Sequence, residues 1–167
     1  MSYYIILRGS AGVGKTTIAK KLADKLSGVY FSIDEILQEL GLDDSTKYCV
    51  PESQLLKAQD KIIPQAKNYL DNDRVVIFDA AYYFQSQIDN LEKRLPSKKF
   101  IFTLDAGLGE CIKRDKQRTK PIGEESVKAV HYLVSKLTVG KTIHTDDKNA
   151  DQVADEIIQV ISSDSNN

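Results

Sequence analysis

The residues Gly9-Ser10-Ala11-Gly12-Val13-Gly14-Lys15-Thr16 fit the spacing G-x-x-x-x-G-K-[ST], and those residue types in that order can hold a chain of phosphates. Gly9, Gly12 and Gly14 permit a tight bend whose N–H groups turn inward, where a Cβ would obstruct the anion. A helix starting at the end of such a loop adds partial positive charge. Lys15 is placed to reach β- and γ-phosphates, and the Thr16 hydroxyl to hold Mg2+. The expected nucleotide-binding set is Gly9, Ser10, Ala11, Gly12, Val13, Gly14, Lys15, Thr16 and Thr17, with ATP and Mg2+ as ligands. The competing reading is a glycine turn that binds nothing, and the flanking pattern disfavours it.

Other chemistry follows along the chain. Asp34 comes directly after the run Val29-Tyr30-Phe31-Ser32-Ile33, at the kind of strand end where open α/β sheets place ligands. A carboxylate there can take the proton from an attacking hydroxyl. Ser32 or Asp34 can equally cap the helix that follows, and Glu35 is the less favoured base. Asp79 closes Arg74-Val75-Val76-Ile77-Phe78, where an acid can share Mg2+ with Thr16, cap a helix or pair with an arginine. Tyr82, Tyr83 and Phe84 come next, either lining an acceptor pocket or packing in the core. Lys113 to Lys120 holds five basic residues and one acid before Pro121 and Gly123. Arg114 and Arg118 lie one helical turn apart and can point the same way, as a closing lid over polyphosphate requires. A solvated charged face is the plainer alternative. The expected catalytic residues are Lys15, Asp34, Arg114 and Arg118, and the expected metal ligands Thr16 and Asp79.

The elements that must position these groups alternate between two periodicities. Tyr3 to Leu7 is a short β-favouring run, and Ile18, Leu22 and Leu26 then recur at helical spacing. Ser27-Gly28 stops that helix, and a short helix is expected over Glu35–Leu40. Pro51 opens a longer one through Leu70, which Pro64 should kink or divide. Continuous apolar character before Asp79 suggests a parallel strand buried on both faces. A helix marked by Ile88, Leu91 and Leu95 ends at Pro96. Further expectations are a strand over Lys98–Leu104, a helix from Glu110 to about Gln117, and another from near Glu124. Lys141 to Thr145 reads as a fifth strand, and Ala150 to Ile161 as an amphipathic helix capped by Asn149.

The 167 residues suit one domain, expected over 1–162 with a lid of about 114–126 and a disordered tail over 163–167. Net charge is −1, so no overall basic field favours nucleic acid. Cys49 and Cys111 share no metal-ligand spacing and suit a reduced, cytoplasmic protein. The first apolar run stops at Arg8, so no signal peptide is expected, and nothing is long enough to span a membrane. His131 and His144 lack metal-site partners and read as structural or surface residues.

With Gly9–Thr16, Asp34 and the Arg114/Arg118 pair in this order, the chain resembles small P-loop kinases of the nucleoside-monophosphate-kinase type. These include shikimate, gluconate and adenylylsulfate kinases, chloramphenicol phosphotransferase, the kinase part of polynucleotide kinase and AAA-type predicted kinases. The resemblance spans about Tyr3 to Ile161. It implies an α/β three-layer fold with a five-stranded parallel sheet of order 2-3-1-4-5 and a helical lid. It also implies that Asp34 activates the acceptor, that Arg114 and Arg118 are lid arginines, and that Thr145, Asp146 and Asn149 neighbour the base. The glycine-rich acceptor motif of the shikimate type is missing after the third strand, where Asp79-Ala80-Ala81 is closer to the Asp-Ala-Thr-Asn-like stretch of uncharacterised members. The expected function is an ATP-dependent phosphotransferase acting on a small hydroxyl- or phosphate-bearing acceptor, as a monomer or homodimer. The alternatives are a nucleotide-binding regulatory protein and a polynucleotide 5′-hydroxyl kinase. No Asn-Lys-x-Asp motif supports a GTPase switch.

Overall fold

β1 (Tyr3–Gly9), β2 (Val29–Ser32), β3 (Val76–Asp79), β4 (Lys98–Asp105) and β5 (Lys141–His144) form one parallel sheet in the order β2-β3-β1-β4-β5. This is the order that the resemblance implied. The computed structural model describes residues 2–43 and 48–165. Between the strands run α1 (Lys15–Lys25), α2 (Ile33–Glu39), α3 (Glu52–Asp71), α4 (Gln85–Arg94), α5 (Leu108–Lys116) and α6 (Glu124–Ser135), with α7 (Ala150–Ser165) last.

Strand alternation divides the core between the two faces of the sheet. Tyr4, Ile6, Val76 and Phe78 face the layer holding α3, α4 and the buried side of α6. Ile5, Leu7, Ile77, Phe100, Phe102 and Leu104 face α1 and α7. Because β1 and β3 are covered on both faces, their apolar runs are continuous rather than alternating. Register then gathers the chemistry at one edge. Leu7 pairs with Asp79, Asp79 with Ser32, Gly9 with Leu104, and Asp105 with His144.

Several boundaries differ from expectation. α3 runs unbroken through Pro64 over its 20 residues, so the proline does not divide it. Pro64 lies on the exposed face, where the carbonyl it frees can meet water. Pro51 is the residue preceding the helix, its carbonyl accepting from Leu55 N. α2 begins two residues early, at Ile33, and α5 at Leu108, so Gly109 lies inside a helix. α7 passes Ile161 and continues through Ser165, so the tail expected over 163–167 begins as helix. Asn149 does cap it: Gln152 N donates to Asn149 Oδ1 and Asn149 N to Gln152 Oε1, a reciprocal capping box. Between α2 and α3, residues 44–47 lie outside the described residues. Among the described residues no helix is long and apolar enough to cross a membrane.

Candidate functional site

The glycine loop joins β1 to α1 and ends at Gly14, the N-cap of α1, which has φ 99° and supplies no side-chain cap. The first amides of α1 are thus left to the loop's own concavity, the arrangement that suits an anion. Gly12 has φ 79°, and a Cβ there would lie 2.3 Å from the carbonyl oxygen of Cys111 in α5. At Gly14 the same atom would meet only the end of Ile18, at 3.7 Å. Gly12→Ala is therefore expected to cost about 2 kcal/mol or more, adding backbone strain to a clash with backbone. Gly14→Ala carries the strain alone. Thermal unfolding of both variants checks this, with the larger loss of Tm at Gly12.

Lys15 is half-buried and donates to the Ser10 carbonyl at 2.8 Å, which folds it back along its own loop. Burial lowers its pKa, and the carboxylates of Asp79 and Asp34 oppose that shift. Thr16 Oγ1 donates to Asp79 Oδ2 at 2.7 Å across a separation of 63 residues. Asp79 is 3% exposed, and burial raises its carboxyl above the usual range against the pull of Lys15 and the Thr16 hydroxyl. The structure thus brings Lys15, Thr16 and Asp79 together. Thr17 is exposed on the outer side of the same turn. The Thr16 hydroxyl and Asp79 carboxylate fit Mg2+ as hard oxygen donors. Among the described residues, no three His, Cys, Asp or Glu side chains gather into a metal cage. Mg2+ requires only one or two protein oxygens, with phosphate and water completing the octahedron.

Asp34 sits in the first turn of α2 with its side chain exposed. The capping alternative falls to Ser32, whose hydroxyl accepts from Glu35 N at 3.4 Å. Glu35 accepts from Tyr30 Oη at 2.7 Å. The negative charge of Asp34 is felt by Lys15, Asp79 and Tyr83. The three aromatics divide. Tyr82 is fully buried at φ 48°, and Tyr83 is 8% exposed. The Tyr83 hydroxyl donates to Val50 O at 2.8 Å and accepts from Val50 N at 3.0 Å, tying the segment just before α3 to the turn after β3. Phe84 precedes α4 and packs edge-on against Tyr83, centroids 4.9 Å apart.

The two arginines of the basic stretch also divide. Arg114 Nε donates to Glu110 Oε1 at 2.8 Å; its Nη1 reaches Val13 O and Thr145 Oγ1, and its Nη2 reaches Thr145 O, each at 3.3 Å. It therefore bridges the glycine loop to the segment after β5. There Gly107 N donates to both Asp146 carboxylate oxygens at 3.3 Å. The Arg118 side chain is half-exposed and makes one long contact, 3.5 Å from Nη1 to Asp115 Oδ1. Its charge is felt at Lys15. His131 faces Ala106 O at 3.4 Å, and exposed His144 pairs with Asp105 at 3.0 Å.

Two residues of the site's frame escaped the sequence reading. Asp115, 1% exposed, accepts from Ile122 N at 3.2 Å and Gly123 N at 3.0 Å. Arg8, fully buried, donates to Tyr82 O, Thr103 Oγ1, Leu137 O and Val134 O at 2.9–3.1 Å. A charged residue between a buried apolar run and the glycine loop was the available signal for Arg8. Nothing local marks Asp115 within a basic run.

The family model described as an AAA domain matches residues 5–136. A protein of Methanococcus maripaludis strain C7, named a probable thymidylate kinase, is 28% identical, and the match covers 96% of each chain. The solved structure of a sugar kinase from Janibacter superposes with TM-score 0.79 at 16% identity, covering 97% of this chain and 95% of the other. That of the Mycobacterium tuberculosis adenylylsulfate kinase with AMPPNP and adenylylsulfate superposes with TM-score 0.70 at 15% identity, covering 96% and 98%.

Proposed function

The chain belongs to the AAA domain family, and on that premise we propose that it is an ATP-dependent phosphotransferase acting on a small hydroxyl- or phosphate-bearing acceptor. One domain over 1–162, with a lid of about 114–126, carries the reaction. The observation that supports it best is the 2.7 Å bond from Thr16 to Asp79, which joins loop and strand tip beside Lys15. A structural glycine turn has no need of a buried carboxylate and a half-buried ammonium facing each other across it.

In this reading the amides of residues 9–17 and the Lys15 ammonium hold the triphosphate. Thr16 and Asp79 hold Mg2+, which when bound neutralises charge on the β- and γ-phosphates. Asp34 accepts the proton of an acceptor hydroxyl as its oxygen attacks the γ-phosphorus. The bond to the β–γ bridging oxygen breaks, and its electron pair leaves with ADP. Arg118 faces the charge that develops on the moving phosphoryl group. Arg114 serves the same event from beneath, holding Val13 and Thr145 in register.

The test is ADP release from Mg-ATP across an acceptor panel. It holds thymidine monophosphate first, for the Methanococcus relative's name, then other nucleotides, nucleosides, sugars, polyols, shikimate, adenylylsulfate and 5′-hydroxyl oligonucleotides. Asp34→Asn runs in parallel and is expected to lower acceptor-dependent turnover about 10²-fold with ATP binding retained. ATP binding without turnover on any acceptor would turn the reading toward a nucleotide-binding regulatory protein.

A further inference from the structure

Asp115 is an isolated acid among basic residues, yet it is the buried member of the stretch. Its two carboxylate oxygens are used separately: Oδ1 accepts from Ile122 N at 3.2 Å and Oδ2 from Gly123 N at 3.0 Å. Gly123 is the N-cap of α6 and has no side chain to cap with. The anion that this helix start favours therefore comes from α5, eight residues upstream. Its two bonds close residues 115–123 into a ring, and Arg118 lies within that ring.

Its neighbours on α5 point elsewhere. Arg114 is committed to the loop carbonyl of Val13 and to Thr145. The Cys111 carbonyl abuts Gly12 so closely that no Cβ fits between them. α5 is thus fixed against the phosphate loop on one side and grips the lid on the other. Among the described residues the Arg118 side chain makes one weak contact, to Asp115, and its remaining N–H donors meet no partner.

We infer that Asp115 is a positioning residue of the phosphoryl-transfer site: it fixes the 117–123 loop to α5 so that the Arg118 guanidinium is presented toward Lys15. The inference rests on the phosphotransferase reading for its consequence in rate, but not for its consequence in loop order. A carboxylate that merely stabilised the fold would act on rate independently of Arg118. A positioning carboxylate acts through it.

The experiment compares Asp115→Asn, Arg118→Ala and the double variant in the full chain, with two readouts. The first is kcat and KM for Mg-ATP with the acceptor found in the panel. Arg118→Ala is expected to lower kcat about 10²-fold, and Asp115→Asn about 10-fold with KM for ATP little changed. Once Arg118 is gone, Asp115→Asn should add less than about 2-fold, the non-additivity of groups that act as a unit. The second readout is the rate of tryptic cleavage after Arg118, expected to rise about 10-fold in Asp115→Asn while other sites are cut as before. An unchanged kcat in Asp115→Asn, or an equal loss with and without Arg118, overturns the inference. If the wild type turns over no acceptor, the phosphotransferase reading fails, and unchanged proteolysis would still defeat the loop-fixing role. Should Asp115→Asn not fold, Ile122→Pro deletes one of the same bonds from the exposed loop side and is read by the same two criteria.

Discussion

Lys15→Met is expected to lower acceptor-dependent ADP release by about 10³-fold or more, the scale on which a preorganised charge facing a transferring phosphoryl group is felt. The ammonium is already held against its solvation preference. Burial lowers its pKa, Asp79 and Asp34 pull the other way, and the Ser10 carbonyl occupies one of its donors at 2.8 Å. A cation kept there in spite of desolvation does its work at the moment when negative charge appears nearby, where few waters compete. Methionine keeps most of the unbranched stem and removes only the charged head. Folding should survive, with Tm moving by less than about 4 °C, or about 1 kcal/mol. Steady-state kinetics with thermal unfolding on the same preparation check both halves. Turnover within tenfold of wild type would mean that Lys15 organises the loop rather than the reaction.

How far these groups were legible depends on how local their cause is. The glycine loop was plain because its chemistry lies in eight consecutive residues, and Asn149 as a cap because capping is settled within three. The acid at the tip of β3 could be read, since it closes a continuous apolar run of the kind that a parallel strand buried on both faces shows. Thr16 was legible as its partner only through the motif, and the two meet because β3 lies beside β1. Pro64 misled, because the penalty for proline within a helix falls when the freed carbonyl faces solvent. Arg114 and Arg118 have the spacing of one helix face, yet α5 ends at Lys116 and Arg118 lies beyond it, so one is spent on Val13 and Thr145 and the other is left half-exposed. Spacing fixes direction along a helix, not what stands opposite. The strand read over Tyr3 to Leu7 shows the same limit, since β1 continues through Arg8 to Gly9.

Arg8→Ala is expected to cost about 3–5 kcal/mol, roughly 6–20 °C in Tm. The guanidinium is wholly buried, and among the described residues its hydrogen bonds go to carbonyls and one hydroxyl, with no carboxylate paired to it. Desolvation brings its pKa down to about 10, still high enough to keep it charged. What offsets that cost is the place of its acceptors. Val134 O lies in the last turn of α6 and Leu137 O just past its end, where the helix dipole favours a cation. Tyr82 O belongs to a residue at φ 48°, a backbone state that persists only when its surroundings impose it. One side chain on the central strand therefore fastens the far end of α6 and the strained turn behind Asp79. Alanine leaves a cavity and several buried acceptors without donors; Arg8→Met fills most of the volume and leaves only the acceptors. Chemical denaturation of both separates the two costs. If Arg8→Met equals or exceeds the wild type in stability, the charge is a net burden on the fold, as buried ions often are. If Arg8→Met falls nearly as far as Arg8→Ala, the carbonyls are what the charge is for, and α6 should loosen from the Val134 end while Asp115 still holds its start.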